Sequence, residues 1–118
     1  MKIDEQLQAL DNNIASAKKI KELGAALERL SSNSDFKKVV MTGYFEQEAV
    51  RLVHLKGAPH MTSLDSQASI VKQMDAIGAF SQYLTTVIHR TKMAERSIES
   101  DEETLNELLV EGVWSWRT

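Results

Sequence analysis

The chain has 118 residues, 42 % of them hydrophobic and 26 % charged, with a formal net charge of −3 and no cysteine. This is the composition of one ordinary globular domain. It excludes disulfides and thiolate metal sites, a general nucleic-acid coat, which needs a cationic surface, and a membrane-spanning helix, which needs about 20 consecutive apolar residues. The opening Met1-Lys2-Ile3-Asp4-Glu5 is acidic and amphipathic where a signal peptide is basic and then apolar, so a cytoplasmic location is expected. Charge is uneven: residues 1–60 carry 9 Lys/Arg against 8 Asp/Glu, and residues 61–118 carry 5 against 9. A mildly basic half and an acidic C-terminal segment can attract each other within one chain or between copies.

In chain order, Ile3, Leu7, Leu10, Ile14 and Ala17 are spaced 4-3-4-3, and Ile20, Leu23, Leu27 and Leu30 continue at 3-3-4-3. This predicts a coiled-coil-like helix with one three-residue hiccup at Ile20. So narrow a stripe must be buried against a partner helix, in this chain or in another copy, which makes Leu7, Leu10 and Ile14 candidate partner-docking residues. Ser31-Ser32-Asn33-Ser34 stops this helix near Leu30, and Ser34 or Asp35 is expected to cap the next. From Phe36 to Leu55 apolar residues wrap most of the circumference, which predicts a buried helix. Gly57 occupies the place of a left-handed C′ residue, and Pro59 follows where a helix stops.

Thr62 and Ser63 offer an N-cap to a third helix of roughly 35 residues, ending near Ile98. Ser100 to Glu103 reads as a capping box for a short fourth helix that stops at Gly112. In the tail, residues 113–118, Trp114 and Trp116 lie on one face if the segment is extended, and two indoles gain nothing in water. They are candidate docking residues, on the chain's own core or on another subunit. A turn centred near residue 60 brings Tyr44 and Phe45 level with Ile77 and Leu52 level with Ala68. It also sets Gly43 across from Gly78, which predicts a close-packed antiparallel hairpin with Gly43, Gly78, Tyr44 and Ile77 at its contact. A second turn near residue 32 lays the first helix along the second.

The chemistry-bearing residues form no familiar constellation. His54, His60 and His89 do not stand in Glu-x-x-His or His-Glu-x-x-His spacing, so no metal ligands are assigned. Glu46 and Glu48 are two apart and point away from each other on a helix, and Arg51 is better read as an intrahelical partner of Glu48. With no nucleophile elbow and no phosphate-cradling glycine loop, neither catalytic nor cofactor-binding residues are assigned and no enzyme is expected. Lys18 and Lys19 with Lys37 and Lys38 flank one turn and make a candidate nucleic-acid patch, against the alternative of ordinary solvated faces.

One resemblance rests on particular residues. The run Asn33-Ser34-Asp35-Phe36-Lys37, the step Gly43-Tyr44-Phe45, Glu48-Ala49 and Arg51-Leu52-Val53-His54-Leu55, followed by Ala76-Ile77-Gly78 and Tyr83-Leu84, resembles a pattern in small helical proteins of tailed bacteriophages. It covers residues 25–111 and departs from the usual Ala-Asp-Pro turn with Gly57-Ala58-Pro59. It implies a place among virion-assembly or head-related proteins and transfers no functional residues.

The expected fold is therefore all-α: an antiparallel bundle of three long helices with a short fourth helix, as one domain over residues 1–112, and an extended aromatic tail over residues 113–118. The expected function is a non-enzymatic phage structural or assembly protein that oligomerises through helices and docks on virion or packaging proteins, in the host cytoplasm during assembly or in the virion. The alternative is a small phage regulatory or DNA-packaging factor that binds nucleic acid or a host protein.

Overall fold

A computed structural model describes the backbone of residues 2–117 and the side chains of residues 2–112. Every element among the described residues is helical. Helix α1 spans Ile3–Ser31. Helix α2 covers residues 34–56 and is built of an α-helical turn Ser34–Phe36, a π-helical stretch Lys37–Glu48 and an α-helical end Ala49–Lys56. A 3₁₀ turn, Pro59–Met61, leads to α3, Leu64–Arg117. The chain divides into two compact units, one of residues Met1–Ala25 with Val87–Thr118 and one of residues Ala26–Thr86.

In the second unit α2 and the first part of α3 pack antiparallel around Leu52, Ile70 and Ile77, with Tyr44, Phe45, Ala49, Leu55, Met61 and Met74 against them. Phe45 and Phe80 pack as tilted rings with centroids 5.3 Å apart, and the Tyr44 ring lies 6.2 Å from Phe80, distances at which aromatic pairs attract beyond their burial. Leu52 thus meets Ile70 rather than Ala68, and the hairpin centres about one residue later than the sequence suggests because Pro59–Met61 adds a tight turn. Gln67 Nε2 ties that turn down, donating to the carbonyls of Lys56 at 2.9 Å and Met61 at 2.6 Å. Gly57 closes α2 in the right-handed region at φ −86°, not the left-handed one, since the following 3₁₀ turn needs no reversal of hand. The cap of α2 is Asn33, whose Oδ1 accepts from Phe36 N at 2.9 Å; Ser34 and Asp35 already lie inside the helix. Ser63 caps α3, its Oγ accepting from Ser66 N at 3.1 Å.

In the first unit α1 packs on the later part of α3. Gly24, near the end of α1's share, lies against Thr91, near the start of α3's share, so the two helices run antiparallel. The inward positions are Leu7, Leu10, Ile14, Ala17 and Gly24 on α1. On α3 they are Val87, Thr91, Ala94, Ile98, Asp101, Leu105, Leu108 and Gly112, an unbroken 4-3-4-3-4-3-4 seam.

Four expectations change. The expected pairing of the first helix with the second is replaced by one with the end of α3, with which its residues up to Ala25 form a unit. The seam of α1 makes no hiccup at Ile20. It holds its heptad phase through Gly24 and leaves Ile20 and Leu23 facing outward, 40 % and 51 % exposed, because the glycine lets α1 approach Thr91 closely. The third and fourth helices are one helix of 54 residues, about 80 Å long, so the expected bundle with a short fourth helix gives way to antiparallel pairings on a single α3. The capping box at Ser100 is overridden because Ile98, Asp101 and Leu105 keep the seam in phase across it. The backbone of residues 113–117 is helical, not extended; the side chains of Trp114 and Trp116 lie outside the described residues.

The hairpin glycines are also reassigned. A Cβ on Gly78 would meet nothing within 4 Å, so this glycine is not a contact between helices. A Cβ on Gly43 would stand 3.0 Å from the carbonyl oxygen of Lys38, five residues back in its own helix. Gly43 therefore accommodates the π-helical turn, in which the carbonyl of residue i receives the N–H of residue i+5.

Candidate functional site

The side chains that can recognise something lie on outer helix faces. Among the described residues seven hydrophobic side chains are buried, five of them larger than alanine, whereas fifteen large ones are exposed. Scattered exposed leucines are ordinary, but an excess of exposed over buried large apolar residues marks helices with faces left to cover. In the second unit these include Val39, Val50 and Val53 on α2 and Leu64, Val71 and Tyr83 on α3. In the first they include Ile3, Ile20 and Leu23 on α1 and Ile88, Met93, Leu109 and Val110 on α3.

The residues singled out from the sequence are distributed as follows. Leu7, Leu10 and Ile14 face inward within the first unit, Ile14 buried and Leu7 and Leu10 half-buried, so this part of α1's seam packs within the chain. Tyr44 and Ile77 meet in the core of the second unit. Lys18 and Lys19 are exposed in the first unit, and Lys37 and Lys38 are exposed in the second. His54, His60 and His89 are exposed on their helices or turn. Gly24 and Gln67 escaped the sequence reading. Gly24 is signalled only by continuing the strict 3-4 count through a residue with no side chain, and Gln67 carries no local signal because its acceptors lie 11 and 6 residues earlier.

The electrostatics are those of solvated helices. Among the described residues there is one ion pair, Glu48–Arg51, in which Arg51 Nε donates to Glu48 Oε2 at 3.0 Å and to Oε1 at 3.1 Å. That hydrogen bond holds the Glu48 carboxyl below its usual 4.5 and raises the Arg51 guanidinium. No group of three or more His, Asp or Glu side chains among the described residues converges as metal ligands would. A shallow, open depression lined by Asn106, Glu107, Val110 and Glu111 lies on α3 alone. No helix among the described residues is long and apolar enough to cross a membrane. Compared with known protein families, with curated proteins and with solved structures, the chain matches none.

Proposed function

We propose that this chain is a non-enzymatic structural or assembly protein of a tailed bacteriophage, acting through helix-mediated oligomerisation and docking on virion or packaging proteins. The observation that carries the reading is the excess of exposed over buried large apolar side chains on an all-helical frame. Such faces suit association with other helices, where apolar contact supplies the affinity and flanking charges set the register. The phage setting comes from the sequence pattern of residues 25–111. Its partners are further copies of itself and other phage proteins.

Mass spectrometry of purified particles and of assembly intermediates tests the reading. The protein should be found at stoichiometric levels in one of them; its absence from both sinks it. The second reading, a nucleic-acid-binding regulator or packaging factor, draws on the exposure of Lys18, Lys19, Lys37 and Lys38 without an ion-pair partner among the described residues. It requires DNA binding that weakens steeply with salt and is lost when all four lysines are changed to alanine.

A further inference from the structure

The two sides of the first unit differ in chemistry. In an antiparallel helix pair with a 3-4 seam, positions just outside the seam on one side of α1 face the same surface as the corresponding positions of its partner helix. On one side α1 presents Gln6, Asn13, Ser16, Ile20 and Leu23, with no charge from Gln6 to Leu23. The same side of α3 presents Met93, Ser97, Ser100 and Thr104, with Arg90 before them and Glu107 and Glu111 after them. The opposite side is a mixture of both signs, with Asp4, Asp11 and Lys18 on α1 and Lys92, Glu95 and Glu102 on α3.

We infer that this side, uncharged in the middle and charged at its ends, is a self-docking face whose occupant is a second copy of this chain, running antiparallel about a two-fold axis near Ser100. This rests on the oligomerisation part of the function proposed above and gives that part a surface.

Three observations carry it. The first is charge complementarity. Arg90 and Glu111 are three heptads apart on the same face, and Arg90, Glu107 and Glu111 have no ion-pair partner among the described residues. Turning a second copy end for end about Ser100 sets Arg90 against Glu111 of that copy, Met93 against Glu107, and Ser97 against Thr104, each to within one residue. One operation pairs Arg90 with Glu111 at both ends, as an isologous interface requires, and leaves Glu107 beside Met93 without a cation. The second is exposure: Ile20 and Leu23 are 40 % and 51 % exposed and Met93 51 % exposed on this side, where one helix face of a second copy would cover them. The third is that two of the hydroxyls in the middle already have partners. Thr104 Oγ1 donates to the Ser100 carbonyl at 3.1 Å and Ser97 Oγ donates to Asp101 Oδ2 at 3.5 Å. Burying these two therefore strands no donor.

Sedimentation of the full chain, unmodified and as Arg90→Glu and Arg90→Glu/Glu111→Arg, tests the face. The unmodified chain should self-associate, the single reversal should weaken association about tenfold or more, and the double variant should recover it, because the charges are exchanged and not lost. Circular dichroism checks that each variant folds; all these positions are exposed. An independent arm uses the absence of cysteine: Ser100→Cys should oxidise to a covalent dimer much faster than Asn106→Cys on the charged side. If the chain self-associates but Arg90→Glu has no effect and the two cysteines oxidise alike, this face is wrong while oligomerisation stands. A chain that is monomeric at all concentrations overturns both.

Discussion

The second unit is held by bulk, and the first by closeness. Around Leu52, Ile70 and Ile77 large aliphatic and aromatic side chains interlock, whereas in the first unit the buried side chains include Ala17 and Ala94 and the backbone of Gly24 lies directly on Thr91. The two modes fail in opposite ways. A bulky core is damaged by removing atoms, because the space left does not collapse fully. A close backbone approach is damaged by adding them.

Substitutions at these positions sharpen the contrast. The largest effect is expected from Leu52→Ala, where a side chain with no exposed surface is cut back, at a cost of about 2–5 kcal/mol in urea unfolding. An unchanged unfolding midpoint would mean that the second unit lacks this core. Next is Gly24→Ala, a single added methyl that would stand 2.7 Å from the Thr91 Cβ. Thr91 cannot easily turn away, since its hydroxyl donates to the Val87 carbonyl at 2.8 Å. The expected loss is about 1–3 kcal/mol, and a tolerated alanine would refute the close approach. Removing the α2 cap with Asn33→Ala should cost about 1 kcal/mol by thermal denaturation.

The glycine pair of the second unit is a finer test. Gly78→Ala adds a methyl in open space within a helix and should stabilise by about 0.5–1 kcal/mol. Gly43→Ala should lose most of that gain, because its methyl presses on the Lys38 carbonyl. Equal effects at the two sites would argue against the π-helical turn. The smallest effect belongs to Glu48→Gln, which removes an exposed ion pair. Because the folded carboxyl titrates below its usual 4.5, the pair contributes above that value and is lost as pH falls through the lowered one. A pH titration of the Glu48 side chain by NMR checks the direction.

Much of the second unit is legible from residues 34–84. Turn formers at Ser31–Ser34 and the break at Gly57-Ala58-Pro59 fix two antiparallel helices to within about a residue, because a hairpin's register follows from local chain length; the apolar coverage of Phe36–Leu55 misleads, since α2 is not a buried helix and leaves Val39, Val50 and Val53 exposed. The first unit is less legible for three reasons. Ile20 is more apolar than Gly24 and draws the seam to the wrong face, although backbone proximity, not side-chain burial, decides the contact. Ser100 to Glu103 carries a local preference worth about 1 kcal/mol, which a seam of several buried side chains outweighs. The π-helical turns have no composition of their own; only Gly43 hints at them. The candidate docking face is not legible in the sequence because its signal is a stretch without charge on one side, visible only once α1 is paired with α3 and not with α2.

The chain separation of the two contacts has a consequence for how the protein forms. Leu52 and Ile70 are close neighbours in sequence, whereas Gly24 must wait for Thr91 across an intervening segment several times longer. Closing the longer loop costs roughly 1 kcal/mol more in chain entropy, and contacts of low sequence separation form faster. The hairpin should therefore be complete before α1 finds its place, and on a ribosome it can form while residues 87–117 are still being made. Pulsed hydrogen exchange during refolding should protect amides of residues 44–55 before those of residues 7–17. Until then α1 exposes the seam that it later buries, so the interval between the two events is when a newly made chain is most open to capture by a neighbour.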